Sequence, residues 1–354
     1  MSKLSADTLR PEEFIEWREL VSRSSDGSVY SEPEYLDALT SVTGAGFRII
    51  GVRRAGELIG GVALYETRTR LRGCHAGPRL LLYYHGPVFA PYDGAYPSQL
   101  TSRDLDIQAV LLEYLASLRF DSMVLKSRNT VRDVRTYLER GWHASPSYTY
   151  VVPLTNLEHQ WQRVEGNLRR LIKRCGDTDG VTFTDDDDFD SFFRLHSLTL
   201  GRRRVPTYLP ELQFRRFVER IRASGLARLQ HARLPSGVAI ASQLVLLGRH
   251  PVSHTVCAGM DPQFSRLGAS AFLRWRGFEA LAALGYQAND LTDAALNSVT
   301  HFKSQLGGSL ETALVLTAPK SSRHRAGHTI ERTLSLPRSA VSRMMRSLAP
   351  RRRP

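Results

Sequence analysis

The sequence predicts a mixed α/β (α+β) protein in which two similar halves, each with a mixed central sheet flanked by helices, precede a basic C-terminal tail. Its 354 residues are too many for one ordinary compact core and suit two domains of about 150 residues. Apolar residues recur at helical spacing in some segments and form strand-like runs in others, in a similar order in both halves. The expected division is 1–152, 153–319 and a tail at 320–354.

Both halves combine predicted helices with predicted strands. In the first half, apolar periodicity predicts helices at 11–23, 32–42, 102–118 and 131–140. Strand-like runs fall at 47–54, 58–66, 122–126 and 148–154. In the second half, the predicted helices are 157–175, 188–201, 210–223, 267–284 and 297–305. The predicted strands there are 180–184, 226–233, 238–247, 252–258, 288–292 and 310–316.

The two halves share landmarks at a nearly constant offset. At 166 residues the matched pairs are Leu115 and Leu281, Leu118 and Leu284, Phe120 and Tyr286, Leu125 and Leu291, Tyr137 and Lys303, and Gly141 and Gly307. An upstream hairpin at 54–59 matches 235–240 at an offset of 181, so the first half carries 15 extra residues within 67–100. Agreement of several landmarks indicates an internal duplication. Because Tyr137 stands where the second half has Lys303, the two halves cannot carry identical chemistry.

The net charge of +13 is concentrated in the tail. Residues 319–354 hold ten Lys or Arg against one acid, Glu331, whereas the rest of the chain carries 38 basic and 34 acidic residues. A helix at about 339–348 would place apolar and basic residues on adjacent faces, which favours peripheral contact with an anionic membrane surface. The same charges would attract tRNA phosphates. A disordered, solubilising tail is the third interpretation.

Several classes of protein are not supported. Apolar runs fall far short of the roughly 20 residues that span a bilayer, and no apolar signal segment begins the sequence, so a cytoplasmic location is expected. The three cysteines, Cys74, Cys175 and Cys257, form no C-x-x-C pair, and neither a disulfide framework nor a zinc site is expected. The sequence also lacks a G-x-S-x-G elbow and a P-loop.

Two other constellations are weak metal candidates. Asp185 to Asp188 precede an apolar segment, and we interpret them as a solvated loop ending in a helix N-cap. His250 and His254 flank a proline in a strand-like segment, so they do not form a metal-binding helix. No metal site is predicted.

Four residue patterns follow one another in the second half. A basic helix, Arg170-Leu-Ile-Lys173-Arg174-Cys175, precedes Gly180-Val181, and Thr199-Leu-Gly-Arg202 precedes Tyr208. Tyr286 to Asp290-Leu291 then precedes Asn297 to Phe302-Lys303 and Gly307-Gly308. In the order and spacing of these patterns, the sequence resembles the Fem-type (FemABX-like) aminoacyl and peptidyl transferases of the GNAT acyltransferase superfamily. The resemblance covers about Tyr30 to Leu316 and implies two tandem GNAT-like domains in a bacterial enzyme, with the chemistry in the second.

The resemblance implies roles for three residues near the end of the second half. Transfer of an aminoacyl group from a tRNA ester to an amine needs a cation near the negative charge that develops on oxygen. Lys303 is the candidate cation, for the tetrahedral oxyanion or for a donor phosphate, and Phe302 is a candidate wall or stacking surface. Asp290 would orient the acceptor ammonium or take its proton. Without the resemblance, Lys303 reads as a solvated lysine, Phe302 as core and Asp290 as a structural carboxylate.

Four further residues are candidates for substrate binding. Arg170, Lys173 and Arg202 would bind donor or acceptor phosphates, since arginine suits bidentate contacts with them. Tyr208 matches a later aromatic position of the family. Ordinary helix-face charges are the alternative for the three cations. No cofactor is expected, because aminoacyl-tRNA serves as the donor co-substrate.

The sequence departs from the acetyl-CoA pattern of common GNAT enzymes. In those enzymes, a Q/R-x-x-G-x-G/A turn binds pyrophosphate at a helix start. Gln263-Phe-Ser-Arg266-Leu-Gly268 places Arg266 where the first glycine would lie, and its side chain would crowd the phosphate. The departure favours a different acyl donor.

Three functional hypotheses remain open at this point. The first is an aminoacyl-tRNA-dependent transferase that modifies an amine of a cell-envelope precursor, as in peptidoglycan synthesis, or of a small metabolite. The second is an N-acyltransferase that uses an acyl-CoA or acyl-carrier donor in exopolysaccharide or envelope synthesis. The third is a non-catalytic adaptor for nucleic acid or membrane. A monomer is expected, because two fused halves can bury against each other.

Overall fold

The computed structural model describes residues 4–78, 81–94, 96–131 and 133–326. The elements of the first half are β1 (Leu4–Thr8), α1 (Phe14–Arg23), α2 (Pro33–Thr43), β2 (Gly46–Arg54), β3 (Glu57–Thr69), β4 (Gly73–Ala76), β5 (Pro87–Phe89), α3 (Pro97–Ser117), β6 (Ser122–Lys126), α4 (Arg135–Glu139) and β7 (His143–Pro153). The second half follows with α5 (Leu157–Arg163), α6 (Gly166–Asp177), β8 (Thr182–Asp186), α7 (Phe189–Arg202), α8 (Glu211–Ala223), β9 (Ala227–Arg233), β10 (Ala239–Leu246), β11 (Val252–Met260), α9 (Ala269–Ala283), β12 (Ala288–Asp290), α10 (Ser298–Ser304) and β13 (Ser309–Thr317).

The mixed α/β class is confirmed, and the strands join into one large sheet. The hydrogen-bonded order is β1-β2-β3-β4-β6-β13-β7-β12-β11-β10-β9-β8, with β5 beside β3. Most neighbouring strands are antiparallel, whereas β4 with β6 and β11 with β12 are parallel. The sheet is therefore mixed in both halves, as the sequence predicts.

The predicted duplication is confirmed by the positions of the elements. Helices α3 and α9 end at Ser117 and Ala283, and strands β7 and β13 begin at His143 and Ser309. Strands β6 and β12 begin at residues 122 and 288. Each of these three pairs is separated by 166 residues, the offset found in the sequence.

The last strand of each half lies against the other half. Strand β13 pairs with β6 of the first half and with β7, while β7 pairs with β12 of the second half. The register between β13 and β7 runs from Ser309 opposite Val151 to Thr317 opposite His143. This exchange satisfies backbone groups that would otherwise form two sheet edges. The boundary between residues 152 and 153 stays a prediction. Because β7 and β13 each pair with a strand of the other half, neither half forms a separate sheet.

One apolar core lies between the halves and holds them together. Trp17, Tyr35 and Leu36 of the first half are fully buried with Phe214 and Phe217 of α8. The rings of Tyr35 and Phe217 meet edge to face, with centroids 5.6 Å apart. Two further cores cover the opposite sheet face, one beneath α3 and α4 and the other beneath α6 and α9. Burial of aromatic side chains across the junction fixes how the two halves pack.

Several predicted elements differ from the structure in their bounds. The predicted helix 157–175 is two helices, because Val164 and Glu165 adopt extended backbone with ψ of 136° and 137°. The predicted helix 131–140 is the five-residue α4. Strands β1, β4 and β5 are short and were not predicted, since three to five residues give little periodicity.

The acidic run at residues 185–188 has the predicted capping role. Asp188 is the N-cap of α7, and its carboxylate accepts a hydrogen bond from the Ser191 amide at 2.9 Å. Asp186 and Asp188 also form ion pairs with Arg233 at 3.0 and 2.9 Å. These carboxylates therefore stabilise a helix start and an adjacent strand.

The start of the tail contacts the first half. Residues 322–326 are helical, and the Ser321 hydroxyl donates to the Asp121 carboxylate at 2.7 Å. The helix predicted at 339–348 lies outside the described residues. Within the described ranges, no helix is both long and apolar enough to cross a membrane.

Candidate active site

The sheet of the second half opens between β11 and β12. These parallel strands pair from Val252 opposite Ala288 to His254 opposite Asp290, where β12 ends while β11 continues to Met260. The register of β11 against β10 slips at Val256, so a β-bulge lies beside the opening. A cavity of about 160 Å³ occupies this gap, bounded by α7, β11, α9 and α10.

Lys303 of α10 reaches into this cavity. Its ammonium donates to the backbone carbonyls of Thr292 and Asp293, the second at 2.6 Å. Burial lowers the pKa of Lys303 to about 8, with a contribution from the charge of Arg274. An ammonium has three donors, so one remains for a substrate. Lys303 therefore presents a cation at the opening of the sheet at neutral pH.

The two residues that hold Lys303 have unusual backbone conformations. Thr292 and Asp293 have φ of 49° and 50°, in the left-handed region that non-glycine residues seldom adopt. For a β-branched residue such as Thr292 this conformation is costly. The Thr292 hydroxyl donates to the Thr255 carbonyl at 3.0 Å, which supports the turn from β11. The turn aims two carbonyls at Lys303 and so fixes the position of the ammonium.

Asp290 is buried behind the cavity and is not among its lining residues. Its carboxylate accepts hydrogen bonds from Tyr84 at 2.8 Å, Thr149 at 2.5 Å and the Thr292 amide at 2.7 Å. His254 lies 3.7 Å away, and burial lowers the pKa of that imidazole to about 4. This geometry suits a carboxylate that ties the strained turn to both halves.

The first half contributes directly to the cavity of the second half. Tyr83 lines the cavity, and its neighbour Tyr84 bonds to Asp290. Both residues lie in the segment 67–100, within which the first half carries its 15 extra residues. Lys126 lies 5.6 Å and 5.5 Å from the centroids of these two rings. The segment 67–100 of the first half therefore completes the site of the second half. No sequence pattern indicated this role.

The cavity wall from α7 differs from the prediction by one residue. His196, Thr199, Leu200 and Arg203 line the cavity, whereas the predicted Arg202 is exposed and is not part of the lining. The spacing of three, four and seven residues places those four side chains on one helix face. A helical projection of this segment would have selected Arg203.

Of the two predicted aromatic residues, Tyr208 lines the cavity and Phe302 does not. Tyr208 lines the cavity, its ring is 5.2 Å from that of His196, and burial raises the pKa of Tyr208 to about 12. Phe302 is half-buried and packs against the core beneath α6 and α9. Phe302 therefore supports α10 from behind, while Lys303 faces the cavity.

The two basic residues predicted on α6 are not part of this cavity. Arg170 is exposed and donates to Asn167 within its own helix. Lys173 lines a separate, open cleft of about 810 Å³ between α5, α6, β8 and α9. Within the described residues, the structure thus brings together Lys303 and Tyr208, and leaves Arg170, Lys173 and Arg202 outside the cavity.

Arg274 is a cavity residue that sequence analysis missed. It lies on α9, is 9% exposed, and its Nη1 atom is buried without a hydrogen-bond partner. Burial lowers the pKa of Arg274 to about 10. The available signal was an arginine among the apolar residues Phe272, Leu273 and Trp275 of that helix.

The turn before α9 has the form of a helix start but an unusual sequence. Gly268 is the N-cap, with φ of 75°, and the Arg266 carbonyl accepts a hydrogen bond from Arg174. A Cβ at Gly268 would lie 3.1 Å from that of Leu171, so the glycine also permits close packing on α6.

The comparisons with known proteins agree with this architecture. Residues 162–304 match the family described as acetyltransferase (GNAT) domain. No match was found among curated protein sequences.

Solved structures resemble almost the whole chain. FemX has a TM-score of 0.67 at 13% identity, with 88% of this chain and 96% of FemX covered. The C-terminal domain of a protein described as a lysylphosphatidylglycerol synthetase from Agrobacterium fabrum has a TM-score of 0.57 at 13% identity, covering 89% and 94%. A tandem GNAT protein from the clavulanic acid biosynthesis pathway has a TM-score of 0.52 at 11% identity, covering 89% and 98%.

At these identities the structural likeness establishes the fold, and the match to the GNAT domain covers the half that contains the cavity. The adaptor hypothesis loses its basis, because the match describes a transferase domain. Residues 162–304 form a GNAT-type acetyltransferase domain, which identifies the protein as a transferase, and the whole chain shares the fold of FemX and of a tandem GNAT protein.

Proposed function

We propose that the protein transfers an aminoacyl group from aminoacyl-tRNA to an amine of a cell-envelope precursor or a small metabolite. The observation that carries this proposal is the ammonium of Lys303, held in the cavity by two backbone carbonyls at the opening of the sheet. A fixed cation at this point suits the negative charge that develops on an acyl oxygen during transfer.

The proposed reaction requires little covalent chemistry from the protein. The neutral amine of the acceptor attacks the ester carbonyl carbon, a C–N bond forms, and the C–O bond to the tRNA ribose breaks. The amine proton leaves, and the ribose oxygen gains a proton. Lys303 stabilises the tetrahedral oxyanion, while the cavity walls orient the acyl group. Asp290, fully engaged in hydrogen bonds, holds the turn that positions Lys303.

The names of two structural neighbours support an aminoacyl donor. FemX belongs to the family that the sequence resembles, and the Agrobacterium protein is described by a product that carries a lysyl group. The departure at Arg266 from the acetyl-CoA pattern points the same way. The donor is therefore proposed as charged tRNA and the acceptor as an amine.

An acyl-CoA or acyl-carrier donor is the second candidate. It is favoured by the match to a family described as acetyltransferase and by the left-handed Gly268 at the start of α9. A helix start of this kind can bind a pyrophosphate. The side chain of Arg266 would crowd that approach, which places this candidate second.

A transfer assay separates the two donors. The full-length protein is incubated with bulk tRNA carrying labelled amino acids, or with labelled acyl-CoA, and a panel of amines. Label transfer from tRNA that is lost in Lys303→Ala supports the proposal. Consumption of acyl-CoA alone overturns it.

The role of the tail is tested with a chain truncated after Ala326, which keeps the Ser321 contact to Asp121. Binding of charged tRNA is measured across a salt series for both chains. Donor-selective binding that survives truncation places the donor site on the two-domain body. Loss of all binding assigns it to the tail, and partitioning of each chain onto anionic vesicles tests peripheral membrane contact.

A further inference from the structure

We propose that the active-site cavity binds a carboxylate group of a substrate through the guanidinium of Arg274. This inference rests on the proposed function only in treating the cavity as the substrate site. It names a chemical feature of the substrate that neither the fold nor the resemblance supplies.

Arg274 lies beside the cavity with part of its guanidinium unpaired among the described residues. The residue is 9% exposed, lines the cavity, and has a buried Nη1 atom without a partner. Within the described residues, no carboxylate forms an ion pair with it. The neighbouring Arg276 on the same helix differs, because its guanidinium is paired with Glu279 at 2.6 Å.

An unpaired guanidinium in this buried position has an energetic cost. A buried cation without a partner destabilises the folded protein, because the protein replaces neither its hydration nor its counter-charge. Hydrophobic residues surround Arg274 on α9, and a methionine or leucine would fill the same space without this cost. A ligand that supplies an anion would compensate the cost when it binds.

The lining of the cavity carries an excess of positive charge. Arg203, Arg274 and Lys303 line it, against one carboxylate, Asp293. The other titratable groups of the lining are two tyrosines, one histidine and one cysteine, all neutral at pH 7. Burial lowers the pKa of His196 to about 4 and raises the pKa of the Cys257 thiol far above its usual range. The excess of positive charge attracts an anionic group.

The equivalent position in the first half carries no charge. At the offset of 166 residues, Arg274 corresponds to Gln108 of the first half. Gln108 is also buried, but it is neutral and donates to the Asp133 carbonyl at 3.0 Å. The duplicated scaffold therefore accepts a neutral side chain at this position. The second half carries a charge there that the fold does not require.

Size and geometry favour a carboxylate. The cavity of about 160 Å³ is smaller than the ~300–1,000 Å³ pockets that hold whole ligands, so it takes a substituent rather than a nucleotide. A guanidinium presents two parallel donors that match the two oxygens of a carboxylate. The carboxylate belongs either to the transferred acyl group or to the acceptor.

The first experiment measures binding to the full-length protein without any donor. Thermal unfolding is followed with increasing succinate, succinamide or inorganic phosphate at constant ionic strength. Succinate is expected to raise Tm in a saturable way, and succinamide is not. Arg274→Met should weaken the succinate effect at least tenfold, while Arg276→Met, the matched control on the same helix, should retain it.

Two results would overturn the inference. One is an equal response to succinate and succinamide, or a response that Arg274→Met preserves. The other is a stronger response to phosphate than to succinate. Arg274→Met should also raise Tm in the absence of ligand, since it removes an unpaired buried charge. A fall in Tm, repeated in Arg274→Gln, would assign Arg274 a structural role instead.

The second experiment identifies the source of the carboxylate. In the transfer assay, succinate that competes with charged tRNA places the carboxylate on the acyl group, and competition with the amine places it on the acceptor. No inhibition at saturating succinate would separate the carboxylate site from catalysis and overturn the inference. If no transfer from tRNA occurs but Arg274-dependent succinate binding persists, the donor proposal fails and the carboxylate site stands.

Discussion

The clefts of the two halves occupy related positions, but they differ in how their buried arginines are paired. The first-half cleft, of about 440 Å³, contains Arg103, which donates to Ile59 and Asp104 and lies 5.0 Å from the Tyr92 ring centroid. In the second-half cavity, the Nη1 atom of Arg274 has no hydrogen-bond partner among the residues that the structure describes. The protein therefore pairs Arg103 of the first half, whereas Arg274 of the second half is available to a ligand.

The position of Lys303 shows the same contrast. Its counterpart, Tyr137, is fully buried and packs on Trp142 with ring centroids 5.3 Å apart. Lys303 instead extends into the cavity and is held by backbone carbonyls. The duplication has preserved a scaffold in both halves, and the second carries a half-buried, cavity-lining cation where the first carries Tyr137.

The largest expected effect comes from Lys303→Ala. Loss of one preorganised oxyanion-stabilising group costs about 10²–10³ in kcat, so transfer should fall by that factor. Steady-state transfer rates give the measurement, with circular dichroism to verify the fold. Tyr137→Phe, the matched change in the first half, should leave the rate unchanged. Comparable losses in the two variants would break the functional contrast between the halves.

The next effect is on pH dependence. Because the folded pKa of Lys303 is about 8, the ammonium is present below this pH and is lost above it. Once the rate is divided by the fraction of neutral acceptor amine and spontaneous ester hydrolysis is subtracted, transfer should decline above about pH 8, approaching tenfold per pH unit. A corrected rate that stays constant to pH 9.5 would show that Lys303 does not act as a cation.

The same lowered pKa has a consequence for stability. The unfolded lysine binds a proton more tightly than the folded one, so the contribution of Lys303 to stability rises with pH from about 8 towards 10.5. Lys303→Met should remove this rise in urea unfolding experiments. An unchanged pH dependence in the variant would assign it to other groups.

A smaller effect is expected where the halves meet. Tyr84→Phe removes one hydrogen bond to the buried carboxylate of Asp290 and should lower the free energy of unfolding by about 1.5–3 kcal/mol. Urea unfolding measures the change. Tyr83→Phe, next in sequence and part of the cavity wall, should change stability less. The reverse order would place the inter-half contact elsewhere.

The smallest effect concerns the first-half cleft. Burial raises the pKa of Asp104 to about 6, so its charged form is unfavourable at neutral pH despite Arg103. The folded state binds this proton more tightly, and the resulting stability is lost as pH rises from about 4 through 6. Asp104→Asn should therefore stabilise the protein at pH 7 by on the order of 1 kcal/mol, and not at pH 4. A loss of stability at pH 7 would make the Arg103–Asp104 pair favourable.

Local patterns predicted most of the fold because they report on short-range physics. Helices α1, α2, α7 and α8 were found within one to three residues of their ends, since each has an apolar face at helical spacing. Strands β4 and β5 were missed because they are short and lie within 67–100, the segment that contains the extra residues of the first half. Their pairing partners, not their own sequence, define them as strands.

The site was predicted less completely. Lys303 and Tyr208 were identified through resemblance, and both line the cavity. Arg203 and Arg274 were missed, although helical spacing was available for the first and an isolated arginine among apolar residues for the second. Tyr83 had no local signal at all, because its neighbours in the cavity are more than 100 residues away along the chain.

The sequence by itself determined the class, the duplication and the difference between Tyr137 and Lys303, because periodicity and residue identity are local properties. The tertiary structure alone decided that β13 pairs with β6 and that the segment 67–100 of one half lines the cavity of the other. It also decided that, within the described part of the chain, the buried Nη1 atom of Arg274 has no hydrogen-bond partner. These features depend on which distant residues share a neighbourhood. Burial and pairing arise only when the whole sheet is assembled.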